Sequence, residues 1–211
     1  MCHFLKAYMD ALVNLPGTKS LSPQDTSLHG YTPRTYIKHY DRLLSNGSTE
    51  LMSDKDIENL LDSLRIDVDR RDVRVGDLFR RGLTLGEQRR LELGLLVLSA
   101  PDTLFCENPV QGLDSETSLH IMEFLKGYSA NSTRRVIVTL NRPSNFIWNL
   151  IDNVVLLSRG RVVFEGARFD MEGFFAANNA PTPKRFSPIE HYLSGELVNE
   201  YKRILRQKSM D

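Results

Sequence analysis

The chain has 211 residues, of which 41% are hydrophobic, so it is long enough to bury the core of one domain with or without an extension. Lysine plus arginine and aspartate plus glutamate are equal at 27 each, which excludes an overall field that would attract nucleic acid or an anionic membrane. The two cysteines, Cys2 and Cys106, lie far apart and form no disulfide framework, as expected in a reducing compartment such as the cytoplasm.

The N-terminal part of the chain predicts one helix followed by irregular sequence. Residues 1–14 carry apolar side chains at helical spacing, and a Pro-Gly pair ends that pattern. Residues 17–53 are rich in Ser, Thr, Gly and Pro around three tyrosines. This composition predicts long loops or partial disorder in that stretch.

Regular helical patterns begin near Ser53. This residue is a candidate helix cap, and residues 57–64 after it place leucines and isoleucine on one face. A second helix is predicted over residues 86–98. Within it, Arg89 and Arg90 are expected on the solvated face.

Short strands that alternate with helices follow from residue 103. Strands are predicted at 103–107, 135–140, 153–157 and 161–164, and helices at 115–128, 144–150, 168–178 and 196–208. This alternation favours an α/β fold with a mostly parallel sheet, to which the last two strands add an antiparallel edge hairpin. The sheet is expected to be incomplete, because few strands are found. Its first strand ends in Glu107 and Asn108, and ligands of open α/β sheets lie at the carboxyl ends of strands.

Four stretches of the chain, taken together, carry a resemblance to a known family. They are RGLTLGEQRRLELG (81–94), LFCENPVQGLDS (104–115), VIVTLNRPS (136–144) and LLSRGRVVFEG (156–166). In order and spacing they resemble the ATP-binding cassette family, and most of all subfamily G, the White and pleiotropic-drug-resistance type of transporter. The resemblance covers about residues 53–195 and implies the C-terminal part of a P-loop NTPase-like core together with an α-helical subdomain.

The resemblance implies a division of the chain into successive parts. Residues 1–52 form an N-terminal helix and irregular region, and 53–100 a helical subdomain with the signature motif. Residues 101–179 form the C-terminal half of the cassette core, and 180–211 a Pro-rich linker with a terminal helix.

The signature motif of that family, Leu-Ser-Gly-Gly-Glu, matches Leu83-Thr84-Leu85-Gly86-Glu87. In the family the hydroxyl, the backbone N–H groups and the positive helix end face the γ-phosphate of an opposing subunit's ATP. Thr84 keeps the hydroxyl and Gly86 the bare backbone. Leu85 replaces the first glycine with an isobutyl group where a phosphate should approach, which implies weakened docking.

The Walker B pair, Asp-Glu in the family, matches Glu107-Asn108. The resemblance gives Glu107 the position that holds Mg²⁺, with a side chain one methylene longer. Asn108 stands at the position of the catalytic glutamate. An amide has no basic site near neutral pH and cannot accept the proton of the attacking water.

The two motifs that follow differ in how well they match. The D-loop Gly112-Leu113-Asp114-Ser115 is intact, and in the family this loop lines the dimer interface and links two ATP sites. The histidine that contacts the γ-phosphate, the switch histidine, falls at Asn141, so a group that polarises the phosphate is replaced.

A phosphate-binding loop, Gly-x-x-x-x-Gly-Lys-[Ser/Thr], has no match in the chain, which contains no Gly-Lys dipeptide. Pro16-Gly17-Thr18-Lys19-Ser20 comes nearest, but it lacks the upstream glycine and has an extra threonine. No intact catalytic residue is therefore expected.

The resulting hypothesis is a degenerate or truncated subfamily-G cassette. It would contribute signature and D-loop surfaces, through Thr84, Leu85, Gly86, Glu87 and Asp114, to ATP and Mg²⁺ bound with a partner that has an intact phosphate loop. The implied partner is a half-transporter or cassette domain, with the membrane-spanning domain supplied elsewhere and no nucleic acid. Once assembled, the chain would lie at the cytoplasmic face of a membrane, and otherwise in the cytoplasm.

Two alternatives stay open at this point. The first is a non-catalytic regulatory module that pairs with an intact cassette subunit. The second is a gene fragment without an independent role. A soluble repair or chromosome-type cassette ATPase is less favoured, because residues 139–144 and 158–166 resemble the transporter branch.

Overall fold

The computed structural model of the chain describes residues 18–21, 30–45, 51–75, 82–130, 134–158, 160–184 and 187–193. The chain divides into two compact units. The first unit is Leu15–Leu140, and the second unit combines Met1–Asn14 with Asn141–Asp211. The helices predicted at 1–14 and 196–208 lie outside the described residues. Among the described residues, no helix combines the length and the apolar character that crossing a bilayer needs.

A three-stranded parallel sheet forms one layer of the first unit. Its strands are β1 (Thr18–Leu21), β2 (Thr103–Glu107) and β3 (Arg135–Thr139), in the order β1-β2-β3. The register aligns Leu21 with Cys106 and Glu107 with Thr139. The central strand β2 is buried from Thr103 to Cys106, as a strand covered on both faces should be. The sheet therefore brings the carboxyl ends of β2 and β3 to one edge.

The helices of the first unit build a separate apolar core. They are α1 (Pro33–Leu44), α2 (Asp54–Ser63), α3 (Leu85–Leu98) and α4 (Ser115–Ala130), with a 3₁₀ turn at Val68–Arg70. The buried core residues are Ile37, Ile57, Leu61, Leu64, Ile66, Val75, Leu83, Leu91 and Leu95. Ser53 caps α2 through a capping box with Asp56, so the predicted start of this helix is confirmed.

The expectation of loops over residues 17–53 is wrong for two segments. Strand β1 extends the sheet, and α1 is a helix of 12 residues. The start of α1 has both ordinary helix signals, because the Thr32 side chain accepts from the Thr35 N–H and Pro33 occupies the first turn. Ile37 is fully buried in the helical core. Burial of one helix face therefore outweighs the turn-like composition of this stretch.

The predicted exposure of Arg89 is also wrong. This residue is 3% exposed on α3, and its Nη1 donates to Glu92 Oε2 at 2.9 Å one turn along the helix. Arg90 is half-buried. The helix is buried on most of its surface, so a charged side chain on it has to find a partner of opposite charge inside the protein.

The second unit contains a hairpin and short helices. Its elements are α5 (Asn145–Asn149), β4 (Asn153–Ser158), β5 (Arg161–Ala167), α6 (Asp170–Ala177) and α7 (Pro188–Tyr192). The hairpin strands pair antiparallel as a two-stranded sheet. Trp148, Val163, Phe175 and Tyr192 share its core, and the Phe175 and Tyr192 rings stack at 4.2 Å. The predicted fold class, α/β with a parallel sheet and an antiparallel hairpin, is confirmed.

Candidate functional site

The predicted signature motif lies at the start of helix α3, where Thr84 and Glu87 cap each other. Thr84 Oγ1 accepts from the Glu87 N–H at 3.2 Å, and Glu87 Oε2 accepts from the Thr84 N–H at 2.7 Å. Thr84 is therefore the N-cap residue of the helix, and its hydroxyl already accepts an internal hydrogen bond. The capping hydrogen bonds therefore fix the conformation of the signature loop, which the sequence resemblance predicted to contact a phosphate.

Arg70, in the 3₁₀ turn, holds the other side of Glu87. Its Nε lies 3.0 Å from Glu87 Oε1 and its Nη2 lies 3.1 Å from Oε2, while Nη2 also donates to the Gly82 carbonyl at 2.8 Å. Burial disfavours the charged form of Glu87, but the hydrogen bonds from Arg70 and Thr84 outweigh it and lower the pKa of Glu87. Glu87 is thus a buried anion whose oxygens bond within the chain.

The signature loop packs directly against the predicted D-loop. A Cβ placed at Gly86 would lie 2.8 Å from Thr117 Cγ2, and a Cβ placed at Gly112 would lie 3.6 Å from Leu85 Cδ2. Gly112 has a left-handed φ of +77°, which glycine adopts without strain. Leu85 is 47% exposed beside it. The structure therefore brings the two motifs into one continuous surface.

Asp114 closes the D-loop by starting helix α4. Its Oδ1 accepts from the Thr117 N–H at 2.9 Å, and its carbonyl accepts from the Ser118 N–H at 3.0 Å. The hydrogen bond from the Thr117 backbone, with that from the Thr117 hydroxyl, lowers the pKa of the exposed Asp114 carboxyl. Thr117 therefore contacts both motifs, on one side through Gly86 and on the other through Asp114.

The end of β2 places Glu107 and Asn108 beside the end of β3. The Asn108 N–H lies 3.0 Å from both the carbonyl oxygen and Oγ1 of Thr139. Its Nδ2 donates to Gln111 Oε1 at 3.4 Å. The backbone of Asn108 is left-handed, with φ of +43°. Glu107 is half-buried at the last position of the strand, so both residues stand at the carboxyl edge of the sheet.

The described residues do not assemble a metal site of the usual kind. Among them, no group of three or more His, Cys, Asp and Glu side chains could hold a metal ion. Magnesium bound to a nucleotide needs one or two carboxylates in addition to phosphates and waters. Glu107 offers one carboxylate, and the neighbouring Asn108 offers an amide. Asn141 is exposed and belongs to the second unit.

Three residues that organise these motifs were missed by the sequence analysis. Arg70 pairs with the signature glutamate, Thr117 joins the signature to the D-loop, and Thr139 binds the Asn108 backbone. A local signal exists only for Thr117, which follows Asp114 at the capping distance of three residues. The other two partners are distant in sequence, and only the fold brings them together.

Curated proteins similar to this chain come from plants and from human. The chain is 32% identical over 145 residues to ABC transporter G family member STR2 of Medicago truncatula, covering 69% of the chain and 19% of the relative. It is 32% identical over 155 residues to ATP-binding cassette sub-family G member 8 of Homo sapiens, covering 74% and 23%. The chain is a homologue of the G family of ABC transporters. The family predicted from the four stretches is thereby confirmed.

The G-family homology covers part of each protein. The chain spans about a fifth of the length of the relatives it matches, which for ABC transporter G family member 19 of Arabidopsis thaliana is 17% at 36% identity. No family model matches the chain. A solved structure of a dimeric ATP-binding cassette, in a post-hydrolysis state bound to ADP and Pi, aligns with a TM-score of 0.54 and 18% identity over 72% of this chain and 62% of that one. This likeness shows the cassette fold.

Proposed function

We propose that this G-family homologue is a degenerate cassette that presents its signature and D-loop surfaces to a nucleotide held by a partner, and that it does not hydrolyse ATP by itself. The homology supports the ATP-binding domain of a subfamily G transporter. The packing of Leu85 and Gly86 against Gly112 and Thr117 supports a single combined surface. Thr84, Glu87 and Asp114 set the shape of that surface through their caps.

The observation that carries the proposal is the side chain at the carboxyl end of β2. Asn108 directs an amide toward Gln111, where the family pattern has the catalytic carboxylate. An amide accepts and donates hydrogen bonds but takes no proton near neutral pH. General-base catalysis typically contributes a factor of about 10²–10⁴ to a rate. An attacking water beside Asn108 therefore lacks a proton acceptor from this position.

Magnesium and ATP belong to the proposal only together with a partner. When bound, Mg²⁺ would neutralise negative charge on the phosphates. Glu107 supplies one carboxylate, but the sequence has no Gly-Lys phosphate loop to hold the phosphates that would complete the magnesium shell. The partner we propose is a half-transporter or cassette domain with that loop intact. In the proposed assembly, the chain lies at the cytoplasmic face of a membrane.

Phosphate release by the purified chain tests the lack of hydrolysis. We expect no ATP turnover above a buffer control, with or without Mg²⁺, for the parent chain and for Asn108→Glu. The exposed Asn153→Glu substitution is the matched control for adding a carboxylate. Turnover in the parent would disprove the proposal. Turnover gained by Asn108→Glu alone would show that the missing carboxylate is the sole defect. That result would contradict the proposal, which holds that the phosphate loop is missing as well.

A second candidate, a regulatory module that pairs without nucleotide, is favoured by the exposed Leu85. Its side chain is 47% exposed, while the Thr84 hydroxyl and the Glu87 carboxylate bond within the chain. The signature surface therefore offers a partner apolar area in place of free polar groups. Co-purification with an intact G-family cassette distinguishes the candidates. Pairing that requires ATP supports the first candidate, and pairing that persists without nucleotide but is lost in Leu85→Gly supports the second.

A further inference from the structure

A cleft on the first unit lies between the end of α2 and helices α3 and α4, and it adjoins the signature loop, because Arg90 Nη1 would lie 3.7 Å from a Cβ placed at Gly86. Its lining includes Ser63, Arg65, Arg90, His120, Leu93 and Phe124. The inner space is about 20 Å³, roughly the room that one water molecule or one ligand oxygen needs. The cleft opens to solvent, so a larger group could leave most of its atoms outside.

Cationic side chains converge on this cleft. Arg65 Nη1 contacts His120 Nε2, and Arg90 Nη2 donates to the Arg65 carbonyl at 3.3 Å. The nearby counter-charge is Glu123, whose Oε2 lies 3.9 Å from Arg65 Nη2 and whose side chain is 48% exposed. An ion pair at this separation and exposure neutralises little. Among the described residues, the lining of the cleft thus holds two guanidinium groups, and the ion-pair partner of Arg65 is one exposed carboxylate.

Arg90 carries a donor that the described part of the chain leaves without an acceptor. Its Nε is buried and makes no hydrogen bond to any described residue. Native proteins satisfy nearly all buried donors with protein groups, water or ligands. Arg65 has a left-handed backbone, with φ of +51°, and its carbonyl accepts from Arg90 Nη2 in this conformation. An acceptor from outside the described residues, either a water molecule or a ligand oxygen, would satisfy the Nε donor.

We propose that this cleft binds an oxyanion, either inorganic phosphate or the terminal phosphate of a larger molecule. One oxygen would occupy the inner space, and the others would remain in the solvent-exposed mouth. Guanidinium groups suit this ligand because they make charge-assisted hydrogen bonds to phosphate oxygens. The lining includes no residue of the signature motif or D-loop, so the phosphate titration below tests the cleft without reference to ATP turnover.

Titration of the purified chain with inorganic phosphate tests the cleft, with chloride at equal ionic strength as the reference. We expect saturable amide NMR shifts within residues 63–65 and 120–124, and a rise in the thermal midpoint with phosphate concentration. Arg90→Met should weaken the phosphate Kd by about tenfold, the usual effect of losing one charge-assisted hydrogen bond. Arg142→Met, an exposed arginine of the second unit, is the matched control and should leave the Kd unchanged.

Equal shifts with chloride and phosphate, or an unchanged Kd in Arg90→Met, would overturn the proposal and assign the inner space to water. If Arg90→Met fails to fold, the phosphate Kd of His120→Gln replaces it, and an unchanged Kd in that variant overturns the proposal. Parent NMR shifts that spread outside residues 63–65 and 120–124 overturn it as well. Phenyl phosphate distinguishes the two sources of ligand. Binding as tight as that of inorganic phosphate indicates the end of a larger molecule, whereas weaker binding indicates the free ion.

Discussion

Asn108 and Thr139 join the carboxyl ends of strands β2 and β3. The Asn108 N–H lies 3.0 Å from the Thr139 carbonyl oxygen and 3.0 Å from its hydroxyl. This bond continues the parallel ladder one residue beyond β2 while the Asn108 backbone turns to a φ of +43°. The strand pair therefore fixes the backbone at the position that the family pattern assigns to a catalytic carboxylate.

The left-handed backbone of Asn108 leads to the first prediction. Asparagine tolerates this conformation, whereas other L-residues lose about 1–2 kcal/mol in it. We expect Asn108→Ala to lower the free energy of unfolding by about 1 kcal/mol relative to Asn108→Gly. Both changes remove the contact with Gln111, so glycine is the matched control. Urea denaturation monitored by circular dichroism measures the difference, and equal stability of the two variants would contradict the strain argument.

Gly94 on helix α3 provides the second prediction. A Cβ added there would overlap Leu64 Cδ1 and lie 3.2 Å from Cδ2 and 3.3 Å from Cγ. Leu64 is 2% exposed and belongs to the helical core, so its side chain has little room to move. We expect Gly94→Ala to destabilise the chain by about 1–3 kcal/mol, the usual cost of overpacking, despite the better helix propensity of alanine. Chemical denaturation measures this cost.

The control for Gly94 is Gly127 on helix α4, where an added Cβ meets nothing within 4 Å. Gly127→Ala should stabilise the chain by roughly 0.5–1 kcal/mol through helix propensity alone. In a Leu64→Ala background the cost of Gly94→Ala should shrink, because the overlapping atoms are gone. A cost that stays the same in that background would rule out the Leu64 contact as the cause.

Elements with a strong local pattern could be predicted from the sequence. The strand Thr103–Glu107 was expected at its observed bounds, because a short apolar run flanked by turn-forming residues is typical of a buried strand. The starts of helices α2 and α3 were expected within one residue, in α2 because Ser53 is a recognisable cap, whereas the capping role of Thr84 in α3 was not predicted. These features depend on neighbouring residues only.

Features that depend on distant partners could not be predicted. The helix at Pro33–Leu44 gains its stability from burying Ile37 in a core shared with α2 and α3, and its composition alone favours a loop. The burial of Arg89 depends on how α3 is surrounded in the fold. At the site, the partners of Glu87 and Asn108 are Arg70 and Thr139, which lie 17 and 31 residues away.

The partly buried ion pair of Glu87 and Arg70 predicts how stability depends on pH. The pKa of Glu87 is lowered in the folded chain, so its contribution is present above the ordinary glutamate value of 4.5 and is lost as the pH falls through the folded value. Near neutral pH, Glu87→Gln should lower the free energy of unfolding by about 2 kcal/mol. The two proteins should converge in stability at acidic pH, below the folded pKa.

The matched control for Glu87 is Glu165→Gln, the same chemical change at an exposed position of strand β5. It should alter stability by less than about 0.5 kcal/mol at any pH. Urea denaturation of the parent and both variants across a pH series gives the comparison. A Glu87→Gln cost that is the same at acidic and neutral pH would show that the loss comes from packing and not from the charge.

Cys106 in the centre of β2 should be chemically inert in the folded chain. Its side chain is fully buried, and burial raises the pKa of its thiol to about 12. At a pH of about 8.5, the ordinary pKa of a cysteine thiol, the reactive thiolate fraction of Cys106 is therefore about three orders of magnitude smaller than that of a free thiol. In a Cys2→Ser background, alkylation of Cys106 by iodoacetamide should be roughly 10³-fold slower in buffer than in urea. Mass spectrometry of the labelled chain measures both rates, and the urea sample controls for reagent activity. Rapid labelling without urea would mean that β2 is not enclosed by the first unit as described.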